Sequence, residues 1–134
     1  MSNIKRYLIL FSVMILILSS GCQARTESYS SGKYRVIVVN SSQVPVHKIN
    51  YEITDGEHAQ SGGGMNADGS LIRQGEEMHF DFNEVNGPAV WSVLNEDDAT
   101  MASDTLPFSF DENNEMIIHI ESGKENLELT VRKP

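Results

Sequence analysis

A chain of 134 residues with 19 Asp and Glu against 10 Lys and Arg, net charge −9, is long enough for one domain with a true hydrophobic core. The acid excess argues against a nucleic-acid-binding surface and against electrostatic attachment to anionic lipid headgroups. A single Cys rules out an internal disulfide, so the folded part must stand on packing and hydrogen bonding.

Two bases, Lys5 and Arg6, precede twelve residues, 7–18, of which only Ser12 is clearly polar. That segment is shorter than the about 20 apolar residues of a membrane-spanning helix and matches the apolar core of an export signal. Ser19, Ser20 and Gly21 then lead directly to Cys22. Small side chains there let an extended backbone enter a narrow peptidase cleft. The run Leu18-Ser19-Ser20-Gly21-Cys22 resembles the lipobox of a bacterial lipoprotein signal peptide. The commonest lipobox has Leu three residues before the Cys; here Ser19 holds that place and Leu18 stands one further back, as looser forms of the motif allow. The resemblance implies cleavage between Gly21 and Cys22, a diacylglycerol thioether with palmitate-type acyl chains on Cys22, and attachment to the extracytoplasmic face of the cell membrane. Two chains anchor stably, because each buried CH₂ contributes about 0.8 kcal/mol.

With residues 1–21 removed as signal peptide, 19 acids face 8 bases, since Lys5 and Arg6 are the only charges lost. Residues 22–32 are polar, small and aperiodic, and read as a lipidated N-terminus and flexible tether spanning on the order of 15–20 Å. A single β domain is expected over 33–134.

Period-2 alternation runs through that domain. Tyr34, Val36 and Val38 predict a first strand, ended by the turn-forming residues 40–45. Ile49, Tyr51 and Ile53 predict a second, ended by Asp55-Gly56. Residues 57–69 hold Gly62, Gly63, Gly64 and Asp68-Gly69 and read as a long mobile loop with a flexible tip. Met78, Phe80 and Phe82 predict another strand, and residues 89–94, apolar on both sides, a more central one. Leu106, Phe108 and Phe110 predict a strand that Pro107 confines to an edge or makes start late. Residues 111–114 turn it into Met116, Ile118 and Ile120, and Leu127, Leu129 and Val131 form the last.

Such spacing predicts an all-β fold, an antiparallel β-sandwich of about seven strands. The core is expected to hold Ile49, Tyr51, Phe80, Phe82, Trp91, Phe110, Ile118, Ile120 and Leu129. The pattern of Asn40-Ser41-Ser42, then residues 49–53, then Gly75-Glu76 leading into Met78, Phe80 and Phe82, resembles bacterial cell-envelope immunoglobulin-like domains. That resemblance implies a filled sandwich with Trp91 at its centre, without the paired Cys of antibody domains. The alternative is a small calycin-like β-barrel of about eight strands around a ligand cavity.

Chemistry-bearing motifs are sparse. His79 and His119 fall on outward strand faces and would approach each other only if their strands were neighbours. Asn66-Ala67-Asp68-Gly69-Ser70 has the centre of a calcium loop, but Gly64 and Gly75 stand where its terminal acids belong, so a plain Asp-Gly turn is expected. Neither a metal nor a cofactor is called for. There is no nucleophile elbow, phosphate loop or zinc-protease motif, so the expected role is non-enzymatic. Asp68 and the acidic turn of Glu96, Asp97 and Asp98 are the candidate binding residues. The function that fits is a membrane-anchored lipoprotein acting as a binding or interaction module, contacting another envelope protein or a cell-wall component. A lipocalin-like carrier of a small apolar ligand is the alternative.

Overall fold

The computed structural model describes residues 32–54 and 59–132. The signal peptide, Gly21, Cys22 and the expected tether up to residue 31 lie outside the described residues. Eight strands follow in order: β1 (Tyr34–Asn40), β2 (Lys48–Thr54), β3 (Ala59–Gly64), β4 (Glu77–Phe82), β5 (Ala89–Leu94), β6 (Thr100–Leu106), β7 (Glu115–Ser122) and β8 (Leu127–Arg132). They form two four-stranded sheets, ordered β4-β1-β7-β8 and β3-β2-β5-β6. No ladder joins the two sheets among the described residues. The fold is therefore an open sandwich, and the closed-barrel alternative is set aside.

Alternation along each strand sends one set of side chains between the sheets. Val36 and Val38 of β1, Ile49 and Ile53 of β2, Phe80 and Phe82 of β4, and Met116, Ile118 and Ile120 of β7 are all buried there. Trp91 on β5 is 1 % exposed and occupies the centre. Its ring meets Phe80 edge-on at 5.3 Å between centroids and Tyr51 at 5.5 Å. Tyr51 in turn meets Phe82 edge-on at 5.0 Å. Each such aromatic pair adds about 0.5–1.5 kcal/mol beyond the area it buries. Of the nine expected core residues, Tyr51 and Phe110 are only half-buried; the other seven are buried.

The sandwich expected with about seven strands has eight among the described residues. The structure corrects the expected layout in three places. The pairing is not wholly antiparallel: β1 and β7 run parallel, with Arg35 opposite Glu115 and Val38 opposite Ile118. The expected loop over 57–69 contains β3, which pairs with β2 through Ile49–Gly64 to Thr54–Ala59. Its glycines are needed there. A Cβ on Gly62 would stand 2.6 Å from the Tyr51 hydroxyl, and one on Gly64 2.6 Å from Met78 Cε. Finally, the strand near Pro107 precedes it: β6 is an edge strand that ends at Leu106. Proline offers no N–H to a ladder and pushes the chain out of regular pairing. Phe108 and Phe110 beyond it form no strand; they stack on each other at 5.5 Å and close one end of the core against Phe82 and Tyr34.

Phe80 is 8 % exposed and touches both Trp91 and Tyr51. Phe80→Ala should destabilise the domain by about 3–5 kcal/mol in a denaturant melt. A cost below about 1 kcal/mol would contradict its packing between the sheets.

Candidate functional site

The topology sorts the loops by end. β1 enters at Tyr34, and its last residue, Asn40, lies opposite Ile120 near the end of β7. β4 begins at that same end, with Glu77 opposite Val39. In the other sheet Lys48, Gly64, Leu94 and Thr100 all lie at the matching end. Loops 41–47, 65–76, 95–99 and 123–126 therefore gather at the end opposite the chain's entry. Asp68 and the run Glu96-Asp97-Asp98, far from it in sequence, both belong to this distal end.

A buried amide organises it. Asn40 is fully buried, and its Nδ2 donates to the carbonyls of Val44 and Ile72, each at 2.9 Å. Its Oδ1 accepts from the Ser42 backbone N–H at 3.0 Å and the Ser42 hydroxyl at 2.7 Å. Its own main chain pairs with Gly75 and Glu76. Val46 and Ile72 exchange backbone hydrogen bonds at 3.0 and 2.7 Å. Two loops from different sheet crossings are thus joined through one side chain, and a lost partner would leave a buried group unpaired at about 1–3 kcal/mol.

Asp68 sits in a plain turn, as expected. Its Oδ1 accepts from Ser70 N–H at 3.0 Å, and Gly69 follows at φ +73°, a conformation side-chain-bearing residues rarely hold. Hydrogen bonds from Ser70 hold the Asp68 carboxyl below the usual carboxylate range. Residues 95–99 form the tight β5–β6 turn. Asn95 Oδ1 accepts from Asp97 N–H at 3.0 Å and Ala99 N–H at 2.9 Å. Asp98 adopts φ 58° and stands 4.0 Å from Lys48 Nζ. An ion pair this exposed contributes about 0–1 kcal/mol, so the acids remain available to a partner.

Apolar groups share this end. Val44 is 37 % and Met65 48 % exposed. A groove of about 450 Å³ runs beside Val44 between Met101 and the 122–127 segment. These residues escaped the sequence reading because Val44 and Met65 stand in turn-rich segments without periodicity. A second, shallow groove of about 520 Å³ crosses the outer face of the β3-β2-β5-β6 sheet, floored by Asn50, Ser61, Gly63 and Ser92.

The two outward histidines are kept apart, since β1 lies between β4 and β7. His79 pairs with Glu77 at 2.7 Å, and His119 Nδ1 with the Ser41 hydroxyl at 2.8 Å. No group of three or more His, Cys, Asp or Glu is placed to hold a metal among the described residues. No family model, curated protein or solved structure matches the chain.

On the same outer face, the Thr130 hydroxyl donates to Glu121 Oε2 at 2.9 Å, and Arg132 pairs with Oε1. The Thr130 hydrogen bond, opposed by desolvation and aided by Arg132, holds the Glu121 carboxyl below its ordinary 4.5. Because the folded-state value is the lower one, this stabilisation is complete above the ordinary value and is lost as pH falls through the folded-state value. Glu121→Gln should therefore lower the melting temperature at neutral pH, with the gap to wild type closing below pH 4.5. A gap that stays constant across that range would show that the ionisation of Glu121 contributes nothing to stability.

Proposed function

We propose that the chain is a bacterial envelope lipoprotein, acylated at Cys22 and held on the extracytoplasmic face of the cell membrane. Its sandwich acts there as a non-enzymatic binding module. The leader supports the anchor: a basic start, a short apolar run and small residues before the chain's only Cys. The observation that carries the binding role is the polarity of the domain. The loops at the end opposite the start of β1 carry Asp68, Glu96, Asp97 and Asp98, as well as exposed Val44 and Met65. Exposed acids and apolar side chains on loops at one end suit a basic protein or cationic cell-wall component.

Mass spectrometry of the purified full-length product should find acylated Cys22 as residue one. A soluble product that begins elsewhere would defeat the anchor reading.

For the binding role, partner capture from detergent-solubilised envelope should weaken as salt rises. Replacing Asp68, Glu96, Asp97 and Asp98 together by their amides should weaken capture about tenfold or more, with stability changed by less than about 1 kcal/mol. Capture that ignores both salt and these substitutions would move the binding surface away from the distal loops. Turnover of an ester, peptide or glycan by the purified domain would overturn the non-enzymatic reading.

A further inference from the structure

Four strands form the edges of the two sheets: β4 and β8 in one, β3 and β6 in the other. Sheet edges carry unpaired peptide groups, and natural proteins blunt them with charge, proline or cover. β4 bears Glu77, His79 and Asp81, and β8 bears Glu128 and Arg132. β6 bears Asp104, packs beside β8 and stops at Pro107. β3 has none of these. Its residues are Ala59, Gln60, Ser61, Gly62, Gly63 and Gly64, without charge or proline. All but Gly64 are exposed, and among the described residues β2 pairs with it on one side and nothing on the other.

The two sides of β3 differ in chemistry. Inward, where Gly62 and Gly64 lack side chains, the Tyr51 ring and Met78 lie close beneath the backbone, both half-buried. Outward, the neighbouring β2 presents exposed Glu52 directly opposite Ser61.

We propose that the free edge of β3 accepts an extended segment of a partner protein as a fifth strand of the β3-β2-β5-β6 sheet, a segment alternating apolar and basic residues. Main-chain groups of β3 supply the pairing, as in other recognition by strand addition. Apolar side chains of the added strand would face inward, over Tyr51 and Met78. Basic ones would face outward, toward Glu52 and the general acid excess. Charge argues for such a partner over a second copy, because two domains each with 19 acids against 8 bases repel. This edge is separate from the distal loops, and the inference does not depend on their role.

The test uses the full-length chain in detergent and a blocked peptide of about eight alternating Val and Lys residues. Peptide addition should slow hydrogen exchange of β3 amides and leave the β4, β6 and β8 edges unchanged. Alternate N–H groups of an added strand face β3, so N-methylating one alternate set should weaken binding about tenfold or more, while methylating the other set leaves it intact. A Val–Glu peptide should bind more weakly than Val–Lys. No binding up to about 1 mM, equal loss for both methylated sets, or protection at another edge would overturn the proposal. Protection of β3 that grows with protein concentration alone would identify a second copy as the occupant, and would overturn the assignment to a basic partner.

Discussion

The primary amide of Asn40 has four hydrogen-bonding positions, and the fold fills all four in a site closed to water. An amide that is both buried and saturated fixes its surroundings more tightly than apolar packing, which tolerates sliding. Here it fixes the crossing from β1 to β2 against the segment that carries Ile72 toward β4. Both sheets need these crossings to stay in register, since β1 and β4 pair in one sheet and β2 begins the other. An Asp at this position would set a carboxylate oxygen against the carbonyls of Val44 and Ile72. A Leu would take one donor from each of the two carbonyls and leave the Ser42 backbone N–H without its acceptor. The exposed loop chemistry of the distal end thus rests on a group that never meets solvent.

Above that anchor the core is an aromatic cluster built from residues of three strands. Trp91, Phe80, Phe82 and Tyr51 come from β5, β4 and β2, so the cluster ties the two sheets together across the middle of the sandwich. Trp91 Nε1 is buried without a hydrogen-bond partner among the described residues, a cost that packing of its large ring outweighs. Phe108 and Phe110 extend the aromatic contacts to the entry end, where irregular backbone succeeds as well as a strand because the rings alone close the core.

Six strands were legible in the sequence because their inward positions are large and apolar at every second residue: Val36 and Val38, Phe80 and Phe82, Ile118 and Ile120. β3 was not, because its identity as a strand lies in side chains it lacks; Gly62 and Gly64 make way for Tyr51 and Met78, which belong to other strands. β6 was hidden for a related reason. Of its seven residues, Thr100–Leu106, only Leu106 is buried, as suits an edge strand. Parallel pairing of β1 with β7 leaves no trace in alternation, since side chains alternate equally in either direction. For the loops, the turn chemistry of Asp68-Gly69 and of residues 95–99 could be read locally. Their meeting at one end could not, because that follows from strand direction.

The parallel pair also sets an order of events. Arg35 must find Glu115, and no short turn can join two strands that run the same way. β1 is synthesised first, yet one of its two neighbours, β7, arrives only when the chain is almost complete. The β2–β3 and β5–β6 hairpins can close locally and early. The sheet containing β1 closes late, through contacts between distant parts of the sequence, which is the regime of slow folding. Until then Val36, Val38 and their neighbours on β1 form an uncovered apolar strand at the front of a nascent chain. The acid excess of the chain makes such half-made chains repel one another.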